Sequence, residues 1–428
     1  MKLHQYIFGA LIGCLVFLPG GSAFGASQAE VLRDLQYKVS ALQAYADWRT
    51  KDHGSPALSN ADLHDITTAG TQWLIAAQED NGHFKYEYNP YSDRYLAGDN
   101  IVRQAGALYQ LGEVVRRDAD RNPALAQAIE ESISYFETLS EEDEYAGTSF
   151  RCITESERSN RCKLGATALA FIGILSYVEA YPELASEYED LISEYHSFIT
   201  ASRNPDAGFR YIHIVGESDD EQDTFESSFS NGEALLALVR YYQFNPTPET
   251  MAVIDEAYVY LSEESAERFD SPLYLWIMAA LKDLQVIAPK PEYVSYAELF
   301  TLERMNAVGT RKQTTHNYCA YAEGIAAAYD VLKDGSTAAM ITLVDRELDY
   351  WNKKNSRLQV TNADHYRVAM RDNDMVFLKV DDMEQAAGGF LTAFDTPTQR
   401  IDFTQHCIHA YLQELVDING ESFSSVAE

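Results

Sequence analysis

Residues 164–178 read LGATALAFIGILSYV and are apolar or small at nearly every position. The run is too long for a typical strand and shows no alternation of polar and apolar positions. A helix that is apolar on all sides belongs to an interior, and its glycines and alanines let neighbouring helices approach closely. Five further stretches have the same character, at about 99–116, 230–243, 271–284, 317–332 and 401–416. Between them lie amphipathic segments with charged faces, at about 60–79, 122–141, 184–203, 248–266, 290–306 and 336–353.

Six exposed-type helices alternating with six interior-type helices describe an all-α protein, an (α/α)6 toroid of two concentric rings built from helical hairpins. A plain helical solenoid is the alternative reading of the same alternation. Connections from an inner helix to the next outer one are short, as at YPEL 181–184, NPTP 245–248 and KDGS 333–336. Connections from an outer helix to the next inner one are mostly long, at about 80–98, 142–163, 204–229, 307–315 and 354–400. Inner helices of such a ring run parallel, so the long loops and all six inner N-termini gather at one mouth. Long loops on a rigid scaffold carry function, and converging helix N-termini favour an anionic or strongly hydrogen-bonding ligand.

Residues 1–26 read as a secretory signal peptide: Lys2, an apolar run from Tyr6 to Leu18, then Pro19 and small residues up to Ala26. Leu11-Ile12-Gly13-Cys14 resembles a lipobox, a minor alternative that places a lipoprotein in the envelope. The expected mature protein is one toroid domain over 27–428, with a leading helix at 27–51 and an insertion at 354–400, exported to the periplasm or beyond. No later segment has the 18 uninterrupted apolar residues of a membrane span. Four cysteines remain after removal of the signal. Cys152 and Cys162 share the polar segment RCITESERSNRC and are expected to form a bridge. Cys319 and Cys407 lie on apolar helical stretches, where free buried thiols are expected.

The formal net charge is −33 at pH 7. Without a basic excess there is no counterion release to drive nucleic-acid binding and no attraction to anionic lipid. Nor is there a glycine-rich phosphate loop, a Gly-x-Ser-x-Gly elbow, a His-Glu-x-x-His pair or a zinc-finger spacing, so no cofactor or metal is expected. His316, Cys319, His406 and Cys407 do fall on neighbouring inner helices, but in no recognised close metal-ligand spacing.

The hairpin order and the sequence Gln78-x-x-x-Gly82-x-Phe84 resemble the terpenoid-cyclase and prenyltransferase toroids, with echoes at Asn204–Phe209 and Gln385–Phe390. The layout over about 60–416 is equally similar to six-hairpin glycoside hydrolases, polysaccharide lyases and sugar epimerases. The resemblance is at the level of the fold, so what it implies of function is analogy. The acidic Asp-x-Asp-Asp motif of hopene-type cyclases and the Asp-x-Cys plus His zinc pattern of protein prenyltransferases do not occur in the chain.

The first turns of the inner helices supply candidate site residues. Asp99 and Asn100 begin the first, followed by Arg103, whose planar fork suits a carboxylate. The preceding loop offers His83, Tyr86 and Tyr88 for substrate contacts, and the loop before the third inner helix offers Tyr211 and His213. Glu233 lies near the start of the third inner helix, either as a capping carboxylate or as a catalytic one. The fifth begins at His316 with Glu323 a little further in, and the sixth carries Arg400, Asp402, Gln405 and His406. Asp402 and His406 are four apart and share a helical face, the spacing of a carboxylate that orients a general base.

Two chemistries fit these residues. Glu233 with Glu323 suits glycoside hydrolysis, while His406 oriented by Asp402, with Arg103 neutralising a substrate carboxylate, suits a lyase or epimerase. The expectation is an exported carbohydrate-active enzyme working on an oligo- or polysaccharide in the mouth. The alternatives are a toroid that only binds a glycan, lipid or peptide, and an isoprenoid-active toroid with a deep apolar cavity.

Overall fold

The computed structural model describes residues 57–309, 316–361, 366–371, 374–393, 396 and 398–426. The expected signal peptide, the leading helix at 27–51 and parts of the 354–400 insertion, including Asp364 and His365, lie outside the described residues.

The outer helices are α1 (Asn60–Ala76), α3 (Pro123–Thr138), α5 (Glu189–Ala201), α7 (Pro248–Glu267), α9 (Pro291–Gly309) and α11 (Ala338–Ser356). The inner helices are α2 (Ile101–Arg117), α4 (Leu164–Ala180), α6 (Ser228–Phe244), α8 (Tyr274–Ile287), α10 (Cys319–Leu332) and α13 (Ile401–Leu412, continued as a π-helix through Ile418), with a short α12 (Met383–Ala386) between α11 and α13. Each inner helix packs on the next, and α13 packs on α2, so the ring is closed. The chain is an (α/α)6 toroid. Most of α4 is buried, from Leu164 through Val178, as expected of an interior helix. Outer helices alternate instead: α3 buries Leu125, Ala128, Ile129, Ser132, Ile133 and Phe136 and gives its other face to water.

Short strands occupy the mouth loops, one of them beginning in the alternating stretch from Gly208 to His213. They are β1 (Glu87–Asn89), β2 (Arg94–Tyr95), β3 (Ser140–Tyr145), β4 (Thr148–Ile153), β5 (Arg161–Lys163), β6 (Ile212–Ile214), β7 (Tyr366–Arg371), β8 (Asp374–Lys379) and β9 (Gln399–Arg400). Several pair with partners remote in sequence. β1 pairs with β9, matching Glu87 to Arg400 and Tyr88 to Gln399, and so joins the first mouth loop to the entry of the last inner helix. β5 pairs with β6 and links the second and third loops.

A shared register underlies the hairpins. The fourth residue of four inner helices takes a backbone N–H from its own mouth loop: Gln104 from Phe84, Thr167 from Ile153, Asn231 from Phe209 and Thr404 from Phe390, at 2.9–3.1 Å. The Gln78–Phe84 motif belongs to this scaffold. Gln78 Nε2 donates to Ala128 O and Ser132 Oγ at 2.8 Å, pinning α1 to α3. Gly82 sits at φ +85°, where a Cβ would stand 1.9 Å from Glu131 O.

Both cysteine pairs are disulfide-bonded. Cys152–Cys162 forms as expected. Cys319–Cys407 overturns the expectation of free thiols. These residues are remote in sequence, but α10 and α13 are ring neighbours and bring the two Cα atoms to 4.6 Å. The bond also removes both sulfurs from any metal site with His316 and His406. Among the described residues, no group of side chains is arranged to hold a metal ion. No described helix is long and apolar enough to cross a membrane.

Candidate active site

The first turns of the inner helices enclose a cavity of about 400 Å³, reached by Arg103 from α2, Glu233 from α6, Trp276 from α8, Tyr321 from α10 and His406 from α13. Aromatic faces alternate in the lining with many polar and charged groups, the composition of a site for a small polar ligand with apolar ring faces.

His406 is the centre of the arrangement. Its Nδ1 lies 2.7 Å from Glu323 Oε2, and Glu323 Oε1 lies 2.7 Å from Nδ1 of His409, one turn further along α13. Glu323 is buried behind the cavity wall. Burial opposes its charge, but the two imidazoles overcome that and hold its carboxyl below the usual range. An ionised Glu323 accepts the Nδ1–H of His406 and leaves the Nε2 lone pair free. His406 lines the cavity and keeps 18 % of its side-chain surface exposed.

The geometry corrects the expected orienting residue: Glu323 from the neighbouring helix, not Asp402 from the same one, bonds His406 Nδ1. Asp402 is held by two guanidiniums. Arg400 Nε donates to its Oδ1 at 2.9 Å and a second Arg400 nitrogen reaches Oδ2, which also takes Arg103. Burial pushes the Asp402 carboxyl up, while Arg103 and His406 pull it down. Arg103 also donates to the Tyr86 hydroxyl at 3.2 Å, so it enters the cavity already paired rather than as a free cation.

Glu233 has the opposite environment. It lines the cavity, its Oε2 has no hydrogen-bond partner, and its carboxyl packs against the bare Cα of Gly165 on α4, where a Cβ would meet Oε2 at 2.2 Å. Burial alone pushes its pKa up to about 8. Glu233 is therefore a neutral acid at pH 7, and it makes no capping-box contact. The expected Glu233–Glu323 pair does not form a two-carboxylate site, because Glu323 does not line the cavity and both its oxygens are taken by histidines.

The remaining expected residues divide. Asn100 caps α2 through Val102 and Arg103 N–H and lines the cavity. Gln405 lines it too, lying against Gly106 of α2. Tyr211 lines it with its hydroxyl fixed by Lys163 Nζ at 2.9 Å. Asp99 and His83 bond to each other at 3.1 Å and brace the rim outside the lining. Tyr88 is buried with its hydroxyl on Asp93, and His213 is buried against Asp143 at 2.7 Å among Phe150 and Phe198; neither reaches the cavity. His316 is exposed and pairs in an isolated bridge with Ala393, outside the lining. Arg400 stands outside the lining, bonds Asp402 and lies over the rings of Tyr86 and Phe403.

Trp276, Tyr274, Phe229 and Tyr321 also line the site and were missed. Their signal was aromatic residues at the N-terminal ends of interior helices, as in SPLYLWIM at 271–278. His409 lies one turn below the mouth, where its place on an interior helix alone does not announce a role.

No protein-family model matches the chain. No curated protein matches it either. Solved structures do. A D-mannose isomerase superposes with TM-score 0.59, over 85% of this chain and 99% of its own, at 14% identity. The cellobiose 2-epimerase of Spirochaeta thermophila gives TM-score 0.56 over 89% and 99%, at 13% identity. An inactive variant of the GH76 α-1,6-mannanase of Salegentibacter, with two neighbouring aspartates replaced by asparagine and α-1,6-mannotriose bound, gives TM-score 0.53 over 83% and 99%, at 9% identity. At these identities the likeness is one of fold.

Proposed function

We propose that the chain is an exported sugar isomerase or epimerase that moves a proton on the carbon beside a carbonyl. The observation that carries this reading is the pairing, in one cavity, of a carboxylate-backed imidazole, His406, with a carboxylic acid kept neutral by burial, Glu233. Environments that push two titratable groups apart assign them the roles of base and acid.

In the open-chain form of an aldose or a reducing-end sugar, His406 Nε2 takes the proton from C2 while Glu233 donates its proton to the carbonyl oxygen, giving an enediol. Glu233 then takes a hydroxyl proton back: from O2 as His406 returns the carbon-bound proton to C1, giving the ketose, or from O1 as His406 returns it to the opposite face of C2, which the enediol has turned toward the imidazole, giving the epimer. Glu323 stabilises the imidazolium formed in between. Tyr211, Trp276 and Tyr321 supply faces for a pyranose ring.

A D-mannose isomerase and a cellobiose 2-epimerase share the fold and support this class of substrate. The mannanase reading is less well served. Among the described residues the only aspartate in the cavity lining is Asp402, which two arginines clamp. The sequence of residues 1–26 and the two disulfides support export to an oxidising compartment.

The test is incubation with mannose, glucose, fructose, cellobiose and α-1,6-mannobiose in D₂O, followed by proton NMR. The expected result is loss of the C2 proton signal with appearance of an isomer. New reducing ends without deuterium at C2 would replace this reading with hydrolysis.

A further inference from the structure

The bond between Cys319 and Cys407 lies where the proposed chemistry is most demanding. Cys319 opens α10, and Glu323 follows four residues later on the same face. Cys407 directly follows His406 on α13. The bond thus ties the helix that carries the base to the helix that carries its carboxylate. Both sulfur-bearing residues are buried, at 1% and 0% exposure.

Hydrogen bonding at the two helix starts converges on this bridge. The N-cap residues Tyr318 and Arg400 make no side-chain capping hydrogen bond. Asn317 takes on that role, and it does so at the bridge. Its carbonyl accepts the Cys319 N–H at 2.8 Å, and its amide reaches Cys407 Sγ at 3.2 Å and Leu391 O at 3.3 Å. The other disulfide joins β4 to β5 in a mouth loop and includes no residue next to the dyad.

We infer that Cys319–Cys407 is a positioning crosslink for the base, fixing α10 against α13 so that His406 stays in register with Glu323 and making turnover conditional on the oxidised chain. The inference rests on the reading of His406 as the base. A displacement of about 1 Å at a catalytic group costs on the order of 10²-fold in rate, and the dyad depends on a 2.7 Å contact across the two helices. Reduction is a two-electron exchange. A small dithiol gives two electrons and two protons to the sulfurs, leaves as its own cyclic disulfide, and both cysteines end as thiols.

The experiment compares the Cys319→Ala/Cys407→Ala chain with the Cys152→Ala/Cys162→Ala chain, each against the wild type. Two readouts are taken: the downfield Nδ1–H resonance of His406 in ¹⁵N-histidine-labelled protein, and the kcat and KM of C2 deuterium exchange. Loss of the Cys319–Cys407 bridge is expected to broaden or move that resonance and to lower kcat about tenfold or more, with KM within about twofold. The Cys152–Cys162 variant is expected to lose melting temperature while keeping both. An unchanged resonance and an unchanged kcat without the Cys319–Cys407 bridge would overturn the inference. If the wild type exchanges no sugar proton yet the resonance depends on the bridge, the crosslink stands and the proposed function falls. Should the alanine pair fold poorly, the Cys319→Ser/Cys407→Ser chain gives the same two readouts.

Discussion

Glu323 holds two imidazoles with one carboxylate, and this makes it the most exposed point of the proposed mechanism. Glu323→Gln keeps the shape but places an amide N–H against one imidazole N–H, so that one ring must turn or change tautomer. The expected outcome is a fall in kcat of about 10²–10⁴ with little change in KM, read from C2 deuterium exchange. An equal loss in both constants would mean that Glu323 shapes binding instead. Glu233 makes a prediction of a different kind. Its carboxyl titrates at about 8 in the folded chain against 4.5 ordinarily, so the folded state binds more protons between those values. Stability from this group is complete below about pH 4.5 and falls by about 1.4 kcal/mol per pH unit until the folded pKa is passed. Glu233→Gln removes that penalty along with the acid. The variant should melt higher than the wild type at pH 8, match it near pH 4, and be inactive at both; a melting difference independent of pH would contradict this. Sequence spacing could put Asp402 and His406 on one face of one helix. It could not show that Arg400, two residues away, and Arg103, from the far side of the seam, would take Asp402 instead. Partners within a helix are legible in sequence; partners between helices wait for the ring.

At the scale of the element, the inner helices were readable because burial on all sides leaves no polar face. Their ends were less so. The anchors are two carboxamides, Gln104 and Asn231, and two hydroxyls, Thr167 and Thr404, so the shared position carries no single residue type by which the hairpins could be aligned. The strands β1 and β9 were hidden for a related reason: they are three and two residues long and find each other across the closed ring. Close packing of α2 on α4 gives a prediction whose sign is opposite to propensity. A Cβ on Gly173 would stand 2.8 Å from Leu108 Cγ and 3.0 Å from Leu108 O, and a Cβ on Gly112 would stand 2.8 Å from Gly173 O. Replacing a mid-helix glycine by alanine ordinarily gains up to about 1 kcal/mol. Here the Cβ meets the Leu108 backbone and the branch carbon held close to it, neither of which can readily turn aside, and overpacking costs about 1–3 kcal/mol. Gly173→Ala should therefore lower the denaturation midpoint at an unchanged slope, a net loss of about 1 kcal/mol or more. A stabilised variant would show that the two helices can separate at little cost.

Across the whole molecule, charge is divided between a coat and an interior. The formal net charge of −33 is carried in part by exposed acidic stretches such as SEEDEY at 140–145. Inside the ring the charges are matched: Glu113 meets Arg116, Arg117 and Arg240, and Asp417 meets Arg117 and Lys282. Arg117 and Lys282 hold the Asp417 carboxyl far below its ordinary range despite burial. These two populations respond differently to salt. Ions at about 1 M shorten the Debye length to about 3 Å, from about 30 Å at 10 mM, and so remove repulsion across the coat while reaching the buried pairs little. Self-repulsion of a strongly charged surface works against the compact state. The melting temperature should therefore rise between about 10 mM and about 1 M sodium chloride, and most steeply at the low end, where screening changes fastest. A fall over that range would show that exposed ion pairs, not repulsion among the acids, dominate the surface. The same division explains why a chain with so large a negative charge can still present Arg103, Arg304 and His406 to the cavity, with Arg400 behind Asp402: much of the unpaired acid lies on the coat, and the inner helix starts are left to set the field of the cavity.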